Sequence, residues 1–190
     1  AYYRTRGMSV CVRGAGRTYG DLALNDGNAL LDMREMNRIL DFDEGKKQIT
    51  VEAGTRLIDI FQAVHHRLLT LPASPTESHS SVAGASCANV NGKDAWRVGS
   101  FGDQVVRCSL LLADGQVLEI DRSHELFNAV VGGIGLLGVV VDATLQLKSI
   151  MSPLSSRTPF NACPCFFISR PTCTACLAPS IVSYVSMRKT

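Results

Sequence analysis

The feature that most constrains this chain is the stretch at residues 78–103, SHSSVAGASCANVNGKDAWRVGSFGD, which is rich in Gly, Ala, Ser and Asn and lies between two apolar, periodic halves. A loop of that length inside a small domain is either disordered or functional. Val82, Val90, Trp96 and Phe101 supply apolar anchors along it, which argues against disorder. Gly84, Gly92, Gly99 and Gly102 let the backbone approach a ligand closely and permit N–H groups to converge on a charge. A second stretch of the same character, residues 13–21 (RGAGRTYGD), lies near the start. Two such loops in one small domain suggest a ligand whose phosphates are held from both sides.

The apolar halves read as a β-rich α+β domain with helices on one or both faces of the sheet. Residues 1–6 resemble a last helical turn stopped by Gly7, so the chain is expected to be clipped at its start. MSVCV at residues 8–12 predicts a buried strand that delivers the chain into the first loop, and residues 29–33 and 38–42 predict two more strands. Residues 48–53, with Ile49 and Val51 alternating, predict a hairpin with the last of these around Glu44 and Gly45. Leu57, Phe61, Val64 and Leu68 predict a helix over residues 55–68, capped by Thr55. Residues 69–72 then read as an extended return. Residues 81–89 predict a short helix whose N-terminus would offer free N–H groups to a phosphate. A hairpin is expected at residues 105–120 around Asp114 and Gly115, a brief helix over 123–130 opened by Ser123, and a glycine-rich turn at 132–138 feeding a strand over 139–147.

Composition bounds the partners. With 190 residues, 46% hydrophobic and 19% charged, the chain can build one globular core. Its net charge of +2 hides an asymmetry: residues 1–150 hold all seventeen carboxylates beside fifteen Lys and Arg, whereas residues 151–190 hold four basic residues and no acid. No basic stripe studded with aromatics appears, so nucleic acid is not an expected partner. Nor does any apolar run reach bilayer-spanning length, so no membrane partner is expected from this segment. Cys11, Cys87 and Cys108 stand singly among apolar or small residues, as buried thiols of a reducing, cytoplasmic compartment would. Residues 151–190 are expected to be an unmatched tail rich in Cys and Pro, translated out of frame after about Pro153 or flexible. A small metal knuckle formed by Cys163, Cys165, Cys173 and Cys176 is the rival reading.

Single residues leave alternatives open. Gly14, Gly16 and Gly20 give GxGxxxG followed by DLALNDGN in place of a helix, so the βαβ dinucleotide unit cannot be built. Taken alone, this loop is as well read as a tight turn; Arg17, able to offset phosphate charge, tilts it toward a ligand. Asn89, Asn91 and Asn128 are turn formers or amide contacts to a ring or ribose. Lys93 reads as a solvated charge and Trp96 as a loop anchor packed on the core. His65, His66, His79 and His124 have no metal-ligand spacing, and no metal site is expected in residues 1–150.

RGAGRTYGD, LNDGNALLDMREMNRILDFD, ITVEAGTRLIDIFQAV, LPASPTESHSSVAGASCANVNGKDAWRVGSFGD, LLLADGQVLEI and ELFNAVVGGIGLLGVVVDATLQL follow one another in order through residues 8–150. Together they resemble the FAD-binding domain of the vanillyl-alcohol oxidase / p-cresol methylhydroxylase (PCMH-type) flavoprotein family. Within it they are most similar to decaprenylphosphoryl-ribose 2-oxidases and aldonolactone oxidases. The resemblance implies a PCMH-type domain of two α/β subdomains over residues 1–150, lacking the cap domain that covers the substrate in the family. It implies oxidation of a sugar, polyol or aldonolactone CH–OH by hydride transfer to flavin N5, the flavin being reoxidised by O₂ or another acceptor. With the cap and its catalytic residues absent, this chain is expected to be inactive alone. A non-catalytic module that binds nucleotide phosphates or mediates interaction is the alternative, and a product that fails to fold stably is a third possibility.

The resemblance also assigns the site. Arg13, Gly14, Ala15, Gly16, Arg17, Thr18, Tyr19, Gly20 and Asp21 would wrap the FAD diphosphate, largely through main-chain N–H groups. Thr76, Ser81, Val82, Ala83 and Gly84, then Ala88, Asn89, Val90, Asn91 and Gly92, would line the path from phosphate to flavin, with Val139 or Val140 touching the cofactor. Some aldonolactone oxidases carry a histidine in the first loop that bonds covalently to the flavin; Arg17 and Thr18 stand there instead, which implies noncovalent FAD. Four positions depart from the pattern: Thr76 and Glu77 replace Gly-Thr, Ala83 replaces a glycine, and Asn91 replaces the histidine of a His-Gly-Lys motif. Glu77 would place a carboxylate near the phosphates unless it turns away.

Overall fold

The computed structural model describes residues 3–150; the expectations for residues 151–190 lie outside the described residues. In chain order the elements are β1 (Val10–Arg13), β2 (Ala29–Asp32), β3 (Ile39–Asp43), β4 (Gln48–Glu52), α1 (Leu57–Val64), β5 (Leu69–Thr70), α2 (Val82–Cys87), α3 (Ala95–Val98), β6 (Val105–Leu111), β7 (Val117–Asp121), α4 (Phe127–Val130), β8 (Val139–Gln146) and β9 (Lys148–Ser149). Short 3-10 turns occupy Arg4–Arg6, His65–Arg67 and Phe101–Gln104.

The larger sheet is antiparallel with strand order β3-β4-β8-β6-β7. Both expected hairpins form within it, Asp43 opposite Gln48 and Leu111 opposite Val117. Alternation explains its two faces: Ile49, Val51, Ala143 and Leu145 point into the core. On the other face Thr50 Oγ1 lies 2.9 Å from Thr144 Oγ1, and Gln48 Nε2 donates to Gln146 Oε1 at 3.2 Å. Leu57, Ile60 and Val64 of α1 join Val82, Phe101, Val105, Leu110 and Ile120 in one continuous core against the inner face. The long loop is stitched to that core by Gln104, buried, whose side-chain amide exchanges hydrogen bonds of 3.0 and 2.9 Å with the backbone of Ala73.

Apart from an antiparallel pair of β5 and β9, a small sheet pairs β1 and β2 in parallel, Val10 opposite Ala29 and Arg13 opposite Asp32. It corrects the expectation of a buried first strand: Val10 is 47% exposed, and Leu30 and Leu31 are exposed beside it. With one partner strand each, these residues cover only one face, and their apolar character is not matched by burial among the described residues.

Two helix boundaries also differ from expectation. Thr55 does not cap α1; it is buried, its hydroxyl donates to Arg38 O at 3.4 Å, and the helix starts at Leu57 without a side-chain cap. Loop carbonyls do that work instead, Leu57 and Ile58 donating to Ser80 O and Ser78 O at 3.0 and 2.8 Å. At the far end α1 stops at Val64, and Leu68 adopts a left-handed conformation with φ 55° that turns the chain into β5. The expected helix over 123–130 shrinks to α4, because Asp121 Oδ1 accepts both the N–H and the hydroxyl of Ser123 at 2.8 and 2.6 Å and makes a turn there. No helix among the described residues is long and apolar enough to cross a membrane.

Candidate functional site

The first glycine-rich loop, the α2 segment and the start of β8 converge on one cleft of about 290 Å³. Gly14, Ala15, Gly16, Arg17, Thr18 and Tyr19 line it from one side, and Ser81, Ala83, Gly84, Ala88 and Val90 from the other, with Val139 and Val140 at the turn into β8. The walls touch: Ala15 N–H donates to Ser81 Oγ at 3.4 Å, and a Cβ on Gly14 would collide with that same oxygen. Glycine at position 14 is therefore a requirement of close approach between two chain segments far apart in sequence.

Among the described residues the lining has one charged side chain, Arg17, and no carboxylate. Among the described residues no hydrogen bond engages the N–H groups of Gly16, Arg17, Thr18 and Tyr19, which leaves four consecutive amides for solvent or an anion. Gly16 holds φ +66°, and Arg13 packs against it from outside the cleft lining. Matters differ at α2, where the expectation of a free N-terminus holds only in part. Val82 N–H donates to Thr55 O at 2.8 Å and Ala83 N–H to Ala53 O at 3.0 Å, so the β4–α1 connection consumes those donors. Anion contact in this cleft thus falls mainly to the first loop, while α2 keeps the Gly84 N–H without a partner among the described residues and contributes small side chains that give room.

Other expected site residues have structural employment outside the lining. Val82 is fully buried in the core. Asn89, at φ 43°, accepts from Gly102 N–H through Oδ1 at 2.9 Å, which folds the long loop onto itself. Gly92 packs against Ser74 O with no space for a Cβ. Gly20, Asp21, Thr76 and Asn91 do not line the cleft. Trp96 is 86% exposed, which corrects its reading as a loop anchor; α3 buries no residue, and Phe101, fully buried, anchors the loop in its place. Glu77 Oε1 accepts from His79 N–H at 2.8 Å and reaches Arg17 Nε at 3.9 Å.

The cleft also includes residues that sequence reasoning passed over: Val12, Leu22, Ala23, Met33, Ala53, Ser80, Ala85, Cys87, Ile134, Gly135 and Gly138. A signal existed for the last three, since the turn GGIGLLG was visible and Gly138 is pressed against Leu111 O and the Leu110 side chain. Burial pushes the Cys87 thiol up to about 11, and burial followed by the proximity of Cys87 and Asp142 pushes Cys108 up to about 12. Cys87 therefore presents a protonated, weakly polar wall.

A sequence profile described as FAD binding domain matches residues 1–121. Over 144 residues the chain is 37% identical to decaprenylphosphoryl-beta-D-ribose oxidase from Mycolicibacterium smegmatis, covering 74% of this chain and 31% of that protein. It is 35% identical over 148 residues to L-gulonolactone oxidase from Mus musculus, covering 77% and 33% respectively. Its fold superposes on the crystal structure of 6-hydroxy-D-nicotine oxidase from Arthrobacter nicotinovorans with a TM-score of 0.72 and 25% identity, over 78% of this chain and 33% of that one. The chain belongs to the FAD binding domain family, with the mixed α/β architecture of the PCMH type, and FAD is its cofactor. It spans about a third of the length of the curated relatives it matches.

The cleft suits that cofactor. A diphosphate needs donors and little side-chain bulk, and the lining around residues 14–19 meets both conditions, with the Glu77 carboxylate outside the lining but 3.9 Å from Arg17 Nε. The apolar lining from Met33, Ala53, Val90, Val139 and Val140 suits an uncharged ring.

Proposed function

We propose that this chain is the FAD-holding part of an oxidoreductase that oxidises a CH–OH group of a sugar, polyol or aldonolactone. Bound FAD supplies the hydride acceptor for such chemistry. The chain's own residues bind and orient it: the amides of Gly16, Arg17, Thr18 and Tyr19 take the diphosphate, and the Arg17 guanidinium offsets its charge. Met33, Ala53, Val90, Val139 and Val140 exclude water from the apolar part of the cleft. The observation that carries this reading is a carboxylate-free cleft shared by two small-residue segments whose walls meet at Gly14 and Ser81. The names of the relatives, a sugar-phosphate lipid oxidase and a lactone oxidase, support the substrate class.

Attachment of FAD is noncovalent on this reading. Among the described residues no histidine lines the cleft, and burial pushes the Cys87 thiol up to about 11, so it stays protonated near neutral pH. The test is to purify the chain, add FAD, remove free flavin and record the visible spectrum, then precipitate with acid. Retained flavin released into the acid supernatant is the expected result. Failure to retain flavin, with ADP bound instead, would favour a plain nucleotide-phosphate module.

A further inference from the structure

The one cation lining the cleft has a second anion within reach. Arg17 Nε lies 3.9 Å from Glu77 Oε1, and both side chains are about half exposed, at 52% and 48%. Glu77 does not swing freely, because its Oε1 also accepts from His79 N–H at 2.8 Å, which holds the carboxylate on the loop that leads into Ser80 and Ser81. The pair therefore links the loop that carries the free amides to the chain entering the opposite wall.

We infer that Glu77 and the cofactor's diphosphate compete for the Arg17 guanidinium, which makes Glu77 a brake on FAD affinity. The inference rests on the reading of the cleft as the diphosphate site. At 3.9 Å and half exposure the ion pair is worth little to folding, so it yields readily to a doubly charged competitor. Freeing Arg17 from Glu77 gives the diphosphate a charge-assisted donor that the ion pair otherwise occupies. Removing the charge at residue 77 should thus tighten binding, in contrast to most changes near a binding site.

The test is a double-mutant cycle on the full chain, with FAD titrated at physiological ionic strength and binding read from quenching of flavin fluorescence. E77Q should lower Kd about threefold, and R17Q should raise it by at least that factor. In the R17Q background, E77Q should move Kd by less than about 1.5-fold, because the shared group is gone. Equal factors in the two backgrounds would show a through-space charge effect and overturn the competition, as would an unchanged or weakened E77Q. If wild type and all variants melt cooperatively yet bind no FAD, the cleft reading itself fails and this inference with it. Binding of FAD with the same Kd in wild type and E77Q refutes the competition alone.

Discussion

Gly14 is the residue on which the two walls depend. A methyl group there would collide with Ser81 Oγ, so Gly14→Ala should part the walls and weaken FAD binding by at least about tenfold, read by fluorescence titration. With Ser81 also changed to Ala, the next contact is Ser81 Cβ at 3.2 Å, a distance a small shift can accommodate. The double variant should recover most of the lost affinity; if it binds no better than Gly14→Ala, the collision is not the cause. Asn89 predicts the opposite division between fold and site. Asn89→Ala strands the Gly102 N–H and puts alanine at φ 43°, a cost of about 1–2 kcal/mol in urea unfolding with FAD affinity unchanged. Both residues stood in small-residue loops that announced a ligand, but only their surroundings separate them. An amide that folds a loop and one that grips a cofactor look alike in sequence, because Asn serves turns and ligands through the same two polar atoms. Met33, Ala53 and Cys87 were hidden for the converse reason: an apolar or small residue at the end of a strand or helix reads as core whether or not a ligand touches it.

Among the elements, the junction of β3 and β4 carries the clearest pH signature. Glu52 is buried at the end of β4, and Arg38 binds it three times, by Nη2 at 2.7 Å, Nε at 3.1 Å and backbone N–H at 2.8 Å. The Arg38 side chain, then its backbone N–H, hold the Glu52 carboxyl below the usual glutamate value against the opposing effect of burial. A depressed folded-state value means that the contribution is present above the ordinary glutamate range and is lost as pH falls through the lowered value. Thermal midpoints should therefore drop on acidification, and drop less steeply in Glu52→Gln; parallel slopes would contradict the assignment. Within the sheet, β8 bonds to β4 on one side and β6 on the other, so its amides should exchange with deuterium most slowly, and those of β1 and β2, with one partner each, sooner. The hairpins were legible because alternation and a turn lie side by side in the chain, as at Ile49, Val51 and the Asp114-Gly115 turn. The parallel pair was not, since β1 and β2 are joined by a long loop and nothing local specifies which strand each will meet.

At the scale of the molecule, two sheets of unequal security share one cleft. The small sheet is tied to the large one through residues 33–38, where Gly54 N–H donates to Met36 O at 2.8 Å and has no room for a Cβ beside Met33 O. FAD spanning residues 14–19 and the α2 segment would add a second tie. Saturating FAD should thus slow exchange in β1, β2 and the first loop more than in β8, and at a hundredfold excess over Kd raise stability by about 2.7 kcal/mol. Uniform slowing would indicate global stabilisation without that strap.

The strand at the middle of the large sheet is also the last long one among the described residues, Val139–Gln146 slotting between β4 and β6. As the polypeptide leaves the ribosome, the β3–β4 and β6–β7 hairpins emerge earlier and each must wait with an unmatched edge for the strand that joins them. A nascent chain arrested before Val139 should consequently be protease-sensitive, and one extended past Gln146 resistant, so protection should arrive in a single step as that strand emerges.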